Sequence, residues 1–279
     1  MKKLLTLVLF IVSVVAFSQK KIEGKATYMS KTTVDMTRFG KMSEAQKKQI
    51  MSRFKSFLEK KYTLSFNKNE SSFKENAKLD TPGTNGFSWG RSNGQGSIYK
   101  NLKDKKMIED TEQFSKRFRI VEDMELPQWE MTGETRQIGQ YTAYKATMIQ
   151  VDNSVDWSKI FSRRGNDQKK DSTKINGMDG ERSLAVTAWW TPQIPVSTGP
   201  ITYWGLPGLI LELNAGRTTM LCMEVVINPE EPIAISEPKK GATVSREEYN
   251  TIMKQKSKEL REQFRNRRGS RGGRGGRGF

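Results

Sequence analysis

The feature that most constrains the fold of this chain is a run rich in tryptophan, proline and glycine between two apolar segments. The run begins at Trp189 and ends with the hexapeptide Gly205-Leu206-Pro207-Gly208-Leu209-Ile210. Proline followed by glycine at the centre of residues 206–209 is typical of a type II turn, because proline fixes a negative φ and glycine tolerates the positive φ that follows. We therefore predict a structural turn at Pro207 and Gly208, between two buried strands.

Short segments of alternating apolar and polar residues run through much of the chain, as in Tyr62, Leu64 and Phe66. A period of two is typical of strands with one buried and one solvent-facing side. Capping-box patterns at 43–46 and 245–248 mark two helices, which we expect to end near residues 60 and 264. The sequence therefore predicts a mainly β fold with two or more helices, built on an antiparallel curved sheet or open half-barrel.

Individual strands follow from the same patterns. Residues 105–110 and 112–121 are predicted as separate strands of a meander. Residues 209–214 and 218–228 are predicted to form a hairpin, and both are close to continuously apolar. We expect both faces of these two strands to be covered.

The first eighteen residues have the pattern of a secretory signal peptide. Met1-Lys2-Lys3 is basic, residues 4–15 are almost entirely apolar, and Ala16-Phe17-Ser18 places small residues at the −3 and −1 positions of a cleavage site. The apolar run is too short to span a bilayer, and no later stretch is long or apolar enough to do so. We therefore expect an exported protein, periplasmic or associated with the outer membrane.

Changes in composition divide the remaining chain. Residues 19–240 carry the strand patterns of an antiparallel β domain, interrupted at 152–182 by a polar insertion that we expect to be a mobile loop. Residues 241–264 are predicted to contain the C-terminal helix. Residues 265–279 form an Arg/Gly repeat that cannot bury a core, so we expect a disordered tail.

Composition excludes several kinds of catalysis. The chain has no histidine and one cysteine, Cys222. Ser/His/Asp and Cys/His catalysis and His-ligated zinc are therefore excluded, whereas paired carboxylates and oxygen-ligated cations are not. The formal charge is +17, from 48 basic and 31 acidic residues, which favours anionic envelope components or acidic proteins as partners.

Two blocks of the sequence resemble a known family. Gly205-Leu206-Pro207-Gly208-Leu209-Ile210, preceded by 190–195 and Gly199-Pro200, resembles the signature of the GLPGLI family, and residues 138–146 are similar to its second block. The resemblance implies an exported protein of the Bacteroidota envelope, of unassigned activity, often encoded beside TonB-dependent outer-membrane receptors. It supplies no catalytic residues. The strand pattern is also similar to that of periplasmic lipoprotein carriers, whose half-barrel holds an apolar ligand.

These observations lead to a binding or accessory protein rather than an enzyme, with no cofactor and no metal. It would hold an apolar or peptide ligand, or dock onto an outer-membrane receptor. Aromatic and proline residues on turns supply preorganised contact area, so the candidate binding residues are Trp189, Trp190, Ile194, Pro195, Tyr203, Trp204, Leu206 and Pro207. The candidate contacts to an anionic envelope surface are Arg267, Arg268, Arg271, Arg274 and Arg277, and nucleic acid is not an expected partner behind a signal peptide.

Two alternatives remain open at this point. Glu212 and Glu224 lie in otherwise apolar segments, and a buried carboxylate is a candidate for general acid–base catalysis in a hydrolase. A structural or adhesive envelope protein is the second alternative. A concave face filled by the protein's own side chains would favour docking or a structural role over ligand binding.

Overall fold

The structure is a computed structural model that describes residues 22–34, 42–76, 96–151 and 183–271. The signal peptide 1–18, the insertion 152–182 and residues 272–279 of the tail lie outside the described residues. Two helices are described, α1 (Glu44–Leu58) and α2 (Arg246–Arg271). The twelve described strands are β1 Glu23–Thr32, β2 Glu59–Asn67, β3 Glu70–Glu75, β4 Ile98–Asn101, β5 Lys106–Gln113, β6 Lys116–Asp123, β7 Glu130–Ile138, β8 Tyr141–Val151, β9 Ser183–Thr191, β10 Leu209–Ala215, β11 Thr218–Ile227 and β12 Ala242–Val244.

All twelve described strands belong to one sheet, in the order β12-β6-β5-β4-β3-β2-β1-β11-β10-β9-β8-β7. Neighbouring strands are antiparallel, as for β1 with β2 and with β11, except that β12 pairs with β6 in parallel. The edge strands β7 and β12 do not pair with each other, so the sheet is open. The predicted mainly β fold with two helices is confirmed.

The sheet is strongly curved. Strands β6 and β7 lie ten positions apart, which in a flat sheet would be about 48 Å at roughly 4.8 Å per strand. Yet only residues 124–129 join them, and the seven Cα steps from Asp123 to Glu130 span at most about 25 Å. The two ends of the sheet must therefore approach each other, which makes the fold an open half-barrel. Its predicted likeness to lipoprotein carriers stays a prediction.

The segment between β9 and β10 lies on the concave face. We call residues 192–208 the corner loop. Thr198 Oγ1 lies 2.9 Å from the Ser71 hydroxyl on β3, and the Thr198 carbonyl accepts from the Ile210 amide on β10 at 3.2 Å. A single residue thus bridges two strands that lie four positions apart in the sheet. The main core is formed by the concave side of the strands together with this loop.

Both predicted capping boxes are present. The Ser43 hydroxyl accepts from the Gln46 amide at 3.3 Å, and the Ser43 amide donates to the Gln46 side chain at 3.0 Å. Ser245 and Glu248 make the same reciprocal bonds at the start of α2. Helix α1 ends at Leu58, close to the expected residue 60, whereas α2 continues to Arg271, seven residues beyond the expected end.

Helix α2 covers the far end of the sheet. Its Met253 packs with Phe118 and Ile120 of β6 in a second, smaller core. The Arg246 guanidinium donates to Glu109 of β5 and to Glu122 of β6, both at 2.6 Å. The helix is therefore fixed to the sheet by a small apolar cluster and by charge-assisted hydrogen bonds at its first turn.

Two strand predictions need correction. Strand β10 is covered on both faces, but β11 is not, since the Met223 side chain is 61% exposed. Apolar composition alone does not say whether anything lies over the outer face of a strand. Strand β5 continues to Gln113, because the hairpin turns at Phe114 and Ser115, which both adopt left-handed φ values of 53° and 58°.

Candidate functional site

The corner loop places most of the predicted binding residues inside the protein. Trp190, Ile194, Tyr203 and Leu206 are buried and belong to the main core, and Trp204 is also buried. Trp189 is half-buried against the same core, whereas Pro195 and Pro207 are exposed. The structure therefore brings these side chains together as packing for the concave face, and it leaves the two prolines at the surface.

The predicted type II turn at Pro207 and Gly208 is wrong. The chain bends at 206–208, but Gly208 does not adopt a positive φ, and the left-handed glycine of this loop is Gly205, with φ 92°. Glycine is required at 208 for close approach instead. A Cβ built on Gly208 would lie 2.0 Å from the Thr191 carbonyl oxygen. Such a contact depends on where β9 lies, so turn chemistry within 206–209 could not reveal it.

A buried lysine holds the corner loop. Lys100 of β4 is fully buried, and its ammonium group donates to three carbonyl oxygens of the loop. The acceptors are Gly199 at 2.7 Å, Ile201 at 3.0 Å and Tyr203 at 3.0 Å. Three donors meeting three acceptors is the arrangement expected of a protonated amine.

The environment of Lys100 disfavours its charge. Burial lowers the pKa of Lys100 from its ordinary value near 10.5 to about 7. The carbonyl oxygens act in the opposite direction, because hydrogen bonds to the charged form favour it. Lys100 is thus a charged group kept out of water by the loop that it holds.

The backbone that Lys100 binds is strained. Ile201 has φ 52°, a conformation that is unfavourable for a β-branched residue. It lies in a tight turn in which the Tyr203 amide donates to the Pro200 carbonyl at 3.1 Å. Strain of this kind costs about 1–3 kcal/mol and persists only where the surroundings enforce it. Here the surroundings include the three bonds from Lys100.

The connection between β6 and β7 packs on the outer side of the corner loop. The Trp129 indole N–H donates to the Trp204 carbonyl at 2.8 Å. A Cβ on Gly205 would lie 3.0 Å from the Pro127 ring, so the two segments are in close contact. Leu126, next to this contact, is 66% exposed. The corner of the molecule therefore combines a fixed backbone with an exposed apolar side chain.

The carboxylate of Glu212 is already bonded. It accepts from the Arg136 guanidinium at 2.5 Å and from the Asn214 side-chain amide at 2.8 Å. The same guanidinium lies 4.0 Å from the centre of the Trp189 ring, a cation–π contact. Glu224 is exposed on β11. Within the described part of the chain, no hydrogen bond joins the two carboxylates that the hydrolase alternative requires.

Within the described ranges, no group of three or more acidic, cysteine or histidine side chains is placed to hold a metal ion. No helix in that part of the chain has the length and apolar character needed to cross a bilayer.

Sequence reasoning missed Lys100. A weak signal exists, because Ile98 and Lys100 are two residues apart in a strand and therefore share a face. Lysine is almost never fully buried without a partner, so a lysine in a strand is ordinarily assigned to solvent. The carbonyl groups that compensate its burial lie about a hundred residues away in the chain, where no local pattern could indicate them.

The molecule is thus an open antiparallel half-barrel whose concave face is occupied by its own corner loop. A family model described as "Protein of unknown function (Porph_ging)" matches residues 129–212. This range begins at Trp129, which bonds to the corner loop, and ends at Glu212 on β10. A comparison with curated proteins gives no match.

Two solved structures of PNGF-II, in the C2 and P21 space groups, are similar to the chain at 13% and 14% identity with TM-scores of 0.47 and 0.48. Each match covers 84% of this chain and 32% or 33% of the other. The chain therefore spans about a third of the length of these structures, and a likeness at this level carries no information on activity.

Proposed function

We propose that this chain is an exported envelope protein that works by docking onto a protein partner and does not catalyse a reaction. The proposal includes membership of the GLPGLI group, since the family-model match over 129–212 spans both sequence blocks that carry the resemblance. Export rests on the signal-peptide pattern of residues 1–18. An outer-membrane receptor is the proposed partner.

One observation carries the proposal: the corner loop fills the concave side of the sheet. Ile194, Tyr203 and Leu206, which an apolar ligand would be expected to contact, are packed into the protein's own core. The outside of the corner is open to a partner, because Pro207 and Leu126 are exposed there. Exposed apolar groups on a rigid backbone are typical of contact sites between proteins.

The polar contacts of Glu212 support a non-catalytic role. A general base must be free to take a proton from its substrate. The Glu212 carboxylate is instead held by Arg136 and Asn214, and its side chain is 16% exposed. We propose that it fixes β7 to β10 across the two intervening strands.

The Arg/Gly tail adds an electrostatic contribution. Residues 265–279 contain six arginines and no acidic residue. Basic segments beside a membrane are attracted to anionic headgroups. The tail would thereby hold the protein near the envelope surface, where the corner meets its partner.

The test is site-specific photo-crosslinking of the full chain, expressed in its own cells. A photoreactive residue at Leu126 is compared with one at Ile149 on β8, which is 79% exposed and serves as the control. Docking through the corner predicts an adduct with one protein of defined mass from position 126 and none from 149. Equal labelling from both positions, or adducts with lipid alone, would contradict the proposal. So would turnover of a substrate that is abolished by Glu212→Gln.

A further inference from the structure

Two costly features meet in the corner loop. The ammonium group of Lys100 is fully buried, and the backbone that it binds includes the strained residue Ile201. The three acceptors lie within five consecutive residues, 199–203. A structure that retains both a buried charge and backbone strain at one place is a candidate for two alternative conformations.

Among the described residues no carboxylate is paired with Lys100, whose acceptors are the three carbonyl oxygens of the loop. Register places Ser71 of β3 and Met107 of β5 opposite Lys100, and both are uncharged. Further along this face of the sheet, Glu109 of β5 and Glu122 of β6 both accept from Arg246 of α2, and Lys60 of β2 is paired with Glu75 of β3. The core around the loop also contains the hydroxyls of Tyr203, Tyr28 and Tyr62.

Uncharged contacts also hold the loop beside Lys100. They include the Ser71–Thr198 hydroxyl bond, the bond from the Ile210 amide to the Thr198 carbonyl and the bond from Trp129 to the Trp204 carbonyl. The amide of Gly205 donates to the Ser197 carbonyl at 3.5 Å, a long bond. Opening of residues 197–205 therefore breaks these uncharged bonds and the three bonds from Lys100, and none of those bonds joins opposite charges.

From this geometry we propose that residues 197–205 form a protonation-controlled latch, which opens more readily as the pH falls and closes as the pH rises. When the latch is closed, the Lys100 amine is removed from water. When it is open, the amine is solvated and Ile201 can relax to an ordinary backbone conformation.

The sign follows from linkage. Burial gives the closed state a Lys100 pKa of about 7, below the ordinary value near 10.5 that a solvated lysine has. The open state therefore binds the proton more tightly, and protonation favours opening. Between these two values one proton is taken up on opening, so the opening constant should rise up to about tenfold for each unit of decreasing pH. Below about pH 7 the amine is protonated in both the closed and the open state, so the opening constant should no longer depend on pH.

Opening also changes what the protein can offer to a partner. Residues 197–205 hold Tyr203 and Trp204 in buried positions. Their release would uncover an apolar surface that the closed state hides, in addition to Leu126 at the corner. This use of the latch rests on the proposed docking function, whereas the opening itself does not.

The experiment is amide hydrogen exchange of the full chain between pH 6 and 9.5, with rates corrected for the intrinsic pH dependence of exchange. The reporting amides are those of Tyr203 and Gly205, which are bonded within the segment. We expect their protection to rise up to about tenfold per pH unit above pH 7. In Lys100→Met this slope should vanish, and in the control Lys106→Met, an exposed lysine on the adjacent strand, it should persist.

A second measurement does not depend on a variant that folds. NMR titration of lysine side chains in the wild-type protein should show one lysine that titrates well below the others. If every lysine titrates near its ordinary value, or if the protection of Tyr203 and Gly205 is independent of pH, the latch is excluded. Either result would leave the docking proposal intact, because photo-crosslinking from Leu126 does not require the loop to open.

Discussion

At the scale of single residues, Gly208 shows that one side-chain atom can decide whether the corner loop fits. A Cβ at this position would lie 2.0 Å from the Thr191 oxygen and 2.6 Å from the Thr191 carbonyl carbon. These are backbone atoms of β9, and they cannot move without disturbing the pairing of β9 with β10. Gly208→Ala should therefore lower the free energy of unfolding by about 3 kcal/mol.

The control for this prediction is Gly139→Ala. Gly139 has φ 59°, but nothing lies within 4 Å of a Cβ built there. Its substitution should cost only the backbone strain of about 1–2 kcal/mol. Denaturant unfolding followed by tryptophan fluorescence measures both. If Gly208→Ala were no more destabilising than Gly139→Ala, close approach would not be the reason for glycine at 208.

Tyr28 makes a second residue-scale prediction, this time dependent on pH. Its hydroxyl is buried and donates to the Ile210 carbonyl at 2.6 Å. Tyr28→Phe should cost about 1–2 kcal/mol at pH 7, because the acceptor loses its donor. Burial also raises the pKa of Tyr28 well above its ordinary value near 10.

The pH dependence follows from that shift. Above pH 10 the unfolded chain loses the tyrosine proton, whereas folded Tyr28 keeps it, so this group makes the wild type less stable as the pH rises. The stability difference between wild type and Tyr28→Phe should therefore shrink above pH 10. Unfolding measured from pH 7 to pH 11 tests this, and a constant difference would contradict it. The other tyrosines are present in both proteins and cancel.

At the scale of elements, the β5–β6 hairpin offers a gain in stability. Phe114 and Ser115 form its two-residue turn with φ values of 53° and 58°. This is the pattern of a type I′ turn, which favours Asn-Gly. Phe114 is exposed, so its replacement loses little packing. Phe114→Asn combined with Ser115→Gly should raise the free energy of unfolding by about 1 kcal/mol.

The matched control is Ser115→Ala, which keeps the left-handed strain and should give no gain. Thermal unfolding of the wild type, the double variant and Ser115→Ala tests whether the double variant alone is more stable. An unchanged midpoint for the double variant would mean that the turn is not strained in solution.

Elements whose determinants are close in sequence could be predicted, and those with distant determinants could not. The capping boxes at Ser43 and Ser245 need only partners three residues away, and both form as predicted. The predicted hairpin of residues 209–214 and 218–228 behaves likewise, since Gly216 at its turn has a positive φ. By contrast, the close approach at Gly208 and the burial of Lys100 depend on strands far away in the chain.

At the scale of the whole molecule, the curvature of the sheet also lies outside local sequence patterns. Alternation indicates strands but not their order. Only the observed order places β6 and β7 ten positions apart in the sheet, and only then does the short connection 124–129 require the sheet to curve. The same curvature allows the corner loop to reach both β3 and β10. The candidate site is thus a product of topology, which explains why the sequence indicated its residues but could not decide between packing and ligand binding.

The charge of the whole molecule leads to the last prediction. The chain carries +17, and residues 265–279 contribute six of its arginines. Each basic residue close to an anionic membrane contributes about 1 kcal/mol. Replacing the six arginines by glutamine should therefore weaken cosedimentation with phosphatidylglycerol vesicles at least about a hundredfold, and added salt should weaken the wild type in the same direction.

Replacement of the same arginines by lysine is the matched control. Helix α2 includes residues up to Arg271, and lysine and glutamine are both good helix formers, so the two variants differ mainly in charge. If charge alone attracts the tail to the envelope, the lysine variant binds the vesicles like the wild type. If the lysine variant fails as the glutamine variant does, the arginines recognise a particular group through their planar hydrogen-bonding geometry, and general attraction to an anionic surface is the wrong account.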